Sequence, residues 1–385
     1  MPILAYKNNN ASLGEYFFAM EALKAQNALG LMSNSSLQGV RAALIRTDGI
    51  DVFETQKSLE FPFDEDLADD LRRIHRHPEN IATEEFVAVE RRFTDFNFEI
   101  INEIKNSLKV PLDIIGFHGH VLYHRPTEGL ITQLGDSQYL ANKSGIRVVS
   151  RFRHADIAAG GQGAPLSPIY HMALSQKLAK PIVFLNIDGL VSLTWIGANG
   201  EIKGFDVGVG LNAVNDWVFK HAGQQTDYNG SLAAMGQVDG HVLAALMRHK
   251  FLAKYPPKAA DKYTFLEKLE NLEGLSLADG AATATSFIAE EIAYSMALYL
   301  AEMPSVVVVC GEGASNPTLL RFLRQKLIGC DVQVSEYYDI DSQGVEAQAF
   351  AYLAVRRLNF MPTSYPFTTG VSEPIIGGEI FNPEI

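Results

Sequence analysis

Asp156 opens the segment Asp156-Ile157-Ala158-Ala159-Gly160-Gly161-Gln162-Gly163-Ala164-Pro165, the least ordinary stretch of the chain. Its small residues leave room for a ligand, and an aspartate at the entrance can take a proton from water or a hydroxyl at neutral pH. The competing reading is an aspartate that caps a helix. A second carboxylate, Asp206, lies in Gly204-Phe205-Asp206-Val207-Gly208-Val209-Gly210. A carboxylate beside exposed backbone N–H groups can hold Mg²⁺ while the amides take phosphate oxygens; a Gly-rich hairpin or turn reads the same way. No Gly-Lys-Ser/Thr follows, so this is not a Walker loop. In Cys310-Gly311-Glu312-Gly313-Ala314-Ser315-Asn316-Pro317 two glycines allow close backbone approach, and Asn316 and Pro317 suit a helix N-cap and first turn. That loop reads as a nucleotide contact or as an ordinary strand-to-helix turn. His118, His120 and His124 share one face of an extended strand. Gly119 favours a turn there, and no Cys or carboxylate cluster is adjacent, so His118 reads better as a hydrogen-bonding group at a substrate pocket than as a metal ligand.

The elements that must position these groups alternate. Ala28–Met32, Val40–Ile45, Pro111–Gly116, Gly145–Val149, Pro181–Ile187, Leu190–Ile196 and Ser305–Cys310 are strand-like apolar runs, and Asp48-Gly49 is a hairpin signal. Phe96, Ile100, Ile101, Ile104 and Leu108 recur at helical spacing, and further helices are expected at 166–177, 213–222, 237–250, 281–301, 316–326 and 345–358. The tail after Phe360 is rich in Pro and Gly and reads as irregular. Four polar or Gly-rich loops, at 33–39, 158–164, 206–210 and 310–316, mostly follow an apolar run and precede a helix. Open α/β sheets place ligands there. Four such loops suit a ligand of several parts, such as a nucleotide plus a second substrate.

Composition bounds the partners. The chain has 385 residues, 47% hydrophobic and 20% charged, which supports a sizeable core in two to three domains at about 150 residues each. A net charge of −13 gives no general attraction to nucleic acid or anionic membrane. Two cysteines, Cys310 and Cys330, make no disulfide framework. No apolar run is long enough to span a membrane, and the first residues lack a secretory pattern, so the expected location is the cytoplasm.

The motifs together resemble the anhydro-N-acetylmuramic acid kinase family. They are Gly116-Phe117-His118-Gly119-His120, Gln133-Leu134-Gly135-Asp136, the Asp156–Pro165 segment, Ala233-Ala234-Met235-Gly236-Gln237-Val238-Asp239, Asn316-Pro317-Thr318-Leu319 and Glu346-Ala347-Gln348-Ala349-Phe350-Ala351. The resemblance runs from about Leu29 to Ile376. It implies an α/β, two-lobed actin/hexokinase-like (ribonuclease H-like) ATPase fold, with residues 1–130 and 350–385 in one lobe and 131–349 in the other. ATP, Mg²⁺ and a sugar would share the cleft, and family analogy suggests a homodimer. The implied reaction opens the 1,6-anhydro bridge with water and phosphorylates the freed O6. By motif position Asp156 would be the general base, with His118, Gly161, Gln162, Gly163 and Glu346 at the sugar. Ser33, Asn34, Ser35, Ser36, Gln38, Gly39, Asp206, Gly208, Gly210, Gly311, Gly313 and Asn316 would hold ATP, and Asp206 and Asp136 the metal.

The chain departs from the family pattern at ligand-facing positions. Where the family has Ser-Gly-Thr-Ser-x-Asp-Gly-Val-Asp, it has Ser33-Asn34-Ser35-Ser36-Leu37-Gln38-Gly39-Val40-Arg41. Asp-Phe-Arg is Arg151-Phe152-Arg153, a Gly-Gly pair is Asp188-Gly189, and the third glycine loop gains Glu312. Asp-Thr-Gly-Pro-Gly-Asn is Asp206-Val207-Gly208-Val209-Gly210-Leu211, and a usual Gln is His120. These changes keep the fold and weaken Mg-ATP binding, unless Arg41 or Arg151 holds a phosphate directly. Beside the kinase they leave two alternatives: a paralogue that binds sugar or nucleotide without turnover, and a hydrolase using Asp156 and Glu346 without phosphoryl transfer.

Overall fold

The computed structural model describes residues 23–33, 37–76, 81–260 and 264–384. Residues 1–22 and the expected phosphate-loop residues Asn34, Ser35 and Ser36 lie outside the described residues.

Two mixed sheets form the frame. The first has the order β14-β8-β5-β1-β2-β3, from Glu379–Phe381, Val148–Ser150, Ile114–Phe117, Gln26–Ser33, Gly39–Thr47 and Val52–Thr55, with β4 (Leu59–Pro62) also paired to β2. The second has the order β11-β10-β9-β12-β13, from Ile202–Val209, Leu190–Ile196, Ile182–Ile187, Val306–Cys310 and Asp331–Val334. Leaving aside β4, the edge strand β14 and the hairpin β6–β7 (His120–Arg125, Leu130–Leu134), both sheets share one plan. Three strands run antiparallel, and two more lie parallel to the first of them. This duplicated arrangement is the two-lobed actin/hexokinase-like fold that the sequence motifs imply. The first lobe extends further than the expected boundary near 130, because Val148–Ser150 pairs with β5 and with β14. The tail contains that last strand and a short helix, Pro366–Thr369, so it is more regular than its composition suggests.

The helix Val345–Leu358 joins the sheets and carries Glu346 in its first turn. Eleven of its residues are buried, and Val345, Ala349, Phe350, Ala351, Tyr352, Leu353, Ala354 and Val355 share one core with Ala28, Ile45 and Ile114 of the first sheet and Ile182, Phe184 and Val308 of the second. Backbone meets backbone at Gly30: a Cβ there would lie 1.7 Å from the Ala347 carbonyl oxygen. The helix must therefore retreat if Gly30 is enlarged. Gly30→Ala is expected to cost roughly 3 kcal/mol or more, by the magnitudes of overpacking and backbone displacement. Thermal unfolding checks this.

Candidate active site

A cavity of about 410 Å³ lies between the lobes, within the size range of small-molecule sites. One wall is β6, which contributes His120, Tyr123 and His124. The facing wall is Asn186, Asp188 and Ser192 around the β9–β10 turn, with Asp206 of β11 beside them. Glu346, Ala349 and Phe350 close one side, and Ala164–Ser167 another.

Asp206 owes its aim to its strand register: it pairs with Ser192, which also lines the cavity, just before a bulge. Val191 pairs with Gly208 but Ser192 pairs with Asp206, so Val207 is the extra residue. The carboxylate is nearly buried at 7% exposure, and its Oδ2 accepts from the Ala260 amide at 2.9 Å. Burial pushes it up to about 6, against the pull of that amide, Arg153 and Lys258. Lys258, fully buried, donates from Nζ to the Phe251 carbonyl at 3.0 Å. Asp206 is thus a carboxylate that ionises just below neutral pH, the range suited to a general base.

Arg153 and His118 form the cationic side. Arg153 Nη1 donates to the Gly163 carbonyl at 2.7 Å, and its Nη2 reaches His118 Nε2 at 3.1 Å. His118 Nδ1 lies 3.0 Å from the Gly119 carbonyl. That carbonyl needs a donor and the guanidinium needs an acceptor, so the proton belongs on Nδ1. Burial, then the charge of Arg153, holds His118 well below the usual histidine range, which keeps it neutral. Arg153 is one of the cavity residues missed from sequence, with Tyr123, Asn186, Asp188 and Ser192. Its signal was its spacing three residues before Asp156, which places it at the start of the helix His154–Ala158.

Asp156 is not in the cavity. It is fully buried; Oδ1 accepts from the Gly163 amide at 2.6 Å and Oδ2 from the Thr369 hydroxyl at 2.5 Å. The small residues serve this same purpose. A Cβ on Gly161 would lie 2.2 Å from Asp156 Oδ1, and Gly163 has φ +68°. The Gln162 amide donates to the Thr369 carbonyl at 2.6 Å, and its own carbonyl pairs with His124 Nε2 at 2.8 Å. Gly161, Gln162 and Gly163 therefore wrap around Asp156 rather than line the cavity, and the general base expected there is corrected to a loop anchor. Asp156→Ala is expected to lose roughly 2–4 kcal/mol, since two buried donors would be left unpaired. Denaturant unfolding measures it.

Of the other expected residues, Ser33, His118, Asp206 and Glu346 meet at the cavity, and Gly39 lines a small recess next to it. Gln38 is exposed. Asp136 is corrected from metal ligand to helix cap: it accepts from the Tyr139 amide at 2.9 Å and does not line the cavity. Among the described residues no group of three or more His, Cys, Asp or Glu side chains is arranged to hold a metal ion.

The expected nucleotide loops turn their donors inward. Gly208 lies within β11, where a Cβ would lie 2.2 Å from Glu291 Oε2. The amides of Gly210 and Leu211 donate to the carbonyls of Gly189 and Asp188 at 2.9 and 2.7 Å. Gly311 donates to the Ser342 carbonyl, a Cβ on Gly313 would meet Ile187, and Asn316 caps its helix through the Leu319 amide at 3.0 Å. The Glu312 amide, which could face a phosphate, donates instead to Asp188 Oδ1 at 2.8 Å. A side-chain carboxylate thus occupies the turn.

The recess beside it, about 30 Å³, is lined by Arg41, Glu60, Asp188, Glu312 and Glu346 among others. Arg41 pairs with Glu60 at 2.8 Å, while Arg151 pairs with Glu379 at 3.0 Å at the sheet edge, away from the cavity. Burial and the neighbouring Asp188 and Glu60 push Glu312 up to about 7. Burial and Asp188 push Glu346 up to about 8 against Arg153. Four carboxylates face one guanidinium in a space of about one water molecule. Among the described residues this donor set does not fit a triphosphate.

Comparison with known proteins agrees with the motifs. The family profile for anhydro-N-acetylmuramic acid kinase matches residues 26–383. An anhydro-N-acetylmuramic acid kinase of Rhodospirillum rubrum is 39% identical over 352 residues, covering 91% of this chain and 93% of that protein. The one of Acidiphilium cryptum is 39% identical over 360 residues, covering 93% and 98%. Among solved structures, a ROK family glucokinase from Streptomyces griseus with glucose and AMPPNP is 12% identical, covers 86% of this chain and 99% of that chain, and aligns with a TM-score of 0.41. By profile and by identity over most of its length, the chain belongs to the anhydro-N-acetylmuramic acid kinase family.

Proposed function

We propose that the cleft takes a 1,6-anhydro amino sugar of the anhydro-N-acetylmuramic acid class, and that Asp206 is the base that activates water for attack on its anomeric carbon. The observation that carries this is a nearly buried carboxylate that lines a sugar-sized cavity, opposite Ser192 across the sheet. The water's proton passes to Asp206 as its oxygen bonds to the anomeric carbon and the bond to O6 breaks. Arg153, pinned by the Gly163 carbonyl and by neutral His118, supplies the fixed positive charge beside Asp206 and Glu346.

Kinship with the named kinases supports a phosphotransferase that uses ATP, with the freed O6 as acceptor. A coupled ADP-release assay with Mg-ATP and the anhydro sugar tests it: release that depends on both the sugar and Asp206 is expected of a kinase. A second reading, impaired phosphoryl transfer, is favoured by the Asp188 carboxylate on the Glu312 amide. Saturable sugar binding with no ADP release would select it. Absence of sugar binding would exclude both.

A further inference from the structure

Among the described residues two permanent cations line the cavity, Arg153 and Arg125, and their settings differ. Arg153 is engaged. Its Nη1 donates to the Gly163 carbonyl at 2.7 Å, its Nη2 meets His118, and the charges of Glu346, Asp206 and Asp156 already act on it. Asp188 lines the same cavity and adds another acid. An anion approaching that side meets more carboxylate than guanidinium.

Arg125 stands apart from these acids in the sequence of β6. The strand begins at His120, which is buried with Nδ1 3.2 Å from Ser33 Oγ, and ends at Arg125, whose side chain is 52% exposed. The Arg125 guanidinium lies over the Tyr123 ring, 4.9 Å from its centre. Residues two apart in a strand share a face, and both of these line the cavity. The ring therefore holds the guanidinium in place without using its N–H donors. Its carboxylate partner is Glu128 at 3.7 Å, itself 55% exposed, and ion pairs as open as this are weak. A guanidinium presents paired N–H donors that match the two oxygens of a carboxylate, so a ligand acid can take them while Glu128 returns to water.

Anhydro-N-acetylmuramic acid carries one carboxylate, on the lactyl ether at C3. We propose that Arg125 receives this carboxylate and is a specificity-determining residue, selecting the acid-bearing sugar over its neutral counterpart, 1,6-anhydro-N-acetylglucosamine. The proposal rests on the reading of the cleft as an anhydro-sugar site. Recognition of this kind is independent of how the bridge is opened and of what receives O6. It also orients the ligand: with its acid on β6, the sugar turns uncharged atoms toward Asp188, Asp206 and Glu346.

Calorimetric titration of the full chain with each sugar, without nucleotide, tests this. The parent is expected to bind the acid-bearing sugar roughly tenfold or more tighter than the neutral one, as a charge-assisted hydrogen-bonded pair allows. Salt at about 0.5 M should narrow that preference, because the pair sits at an exposed position. Arg125→Gln should remove the preference and leave affinity for the neutral sugar within about twofold, since only the charged contact is lost. Arg125→Lys should keep part of it, as a point charge without the paired donors. Melting temperatures measured alongside confirm that the variants are folded. Equal affinity of the parent for both sugars, or a preference that Arg125→Gln leaves intact, would overturn the proposal and leave the sugar-site reading standing. Loss of both sugars to the same extent in a folded Arg125→Gln would overturn it too. Failure of the folded parent to bind either sugar would remove the sugar-site reading itself.

Discussion

Asp206→Asn lowers sugar opening by roughly 100- to 10,000-fold, whereas Asp156→Asn keeps it within about tenfold of the parent. The two aspartates separate because of where their oxygens point. Asp206 lines the cavity, and one oxygen is held by the Ala260 amide. Asparagine keeps that acceptor but cannot take a proton from water, so sugar affinity should survive while turnover collapses. Asp156 instead has one oxygen on Gly163 and the other on Thr369. Asparagine can still accept from the amide, and the threonine hydroxyl can turn to accept in return. The loop then holds, and with it the cavity wall at Ala164–Ser167. Turnover and sugar titration on both variants, with melting temperatures, check the pair.

Joint replacement of Asp188 and Glu312 by glycine tightens Mg-ATP binding by tenfold or more. Asp188→Gly frees the residue-312 amide, which now donates to that carboxylate at 2.8 Å, and both changes together remove two half-buried acids from the recess. Two unit charges about 4 Å apart interact by about 4 kcal/mol at an effective dielectric near 20, so partial relief of repulsion already exceeds a tenfold change. Calorimetric titration with Mg-ATP measures it. Unchanged or weaker binding by the folded double variant would mean that these acids do not oppose the triphosphate.

The frame was legible because its signals are local. The β-branched run Val306–Val309, the Asp48-Gly49 turn and the helix 345–358 all fall where the pattern placed them. The ends of elements with special residues read well too, as with the Asn316 cap and Pro317. The site was harder. Asp156 and Asp206 look alike along the chain, each beside glycines, and only tertiary structure tells them apart. Pairing with Ser192 keeps Asp206 at the cavity, while Thr369, 213 residues away, closes over Asp156. The glycines misled for a related reason. Gly161, Gly208 and Gly313 are small to admit Asp156, Glu291 and Ile187 from the chain itself, not a ligand. The departures at Arg41, Asp188 and Glu312 were visible singly, but their meeting in one recess depends on three separate strand ends. Their opposite charges also answer one another, so the gain of Arg41 does not make a free phosphate site.

The most direct test is a crystal structure of Asp206→Asn with 1,6-anhydro-N-acetylmuramic acid bound, since that variant should trap unreacted sugar. The account predicts the sugar in the interlobe cavity, its anomeric carbon facing residue 206 across a water. Sugar seated against the Asp156 loop, or an anomeric carbon turned away from residue 206, would contradict it.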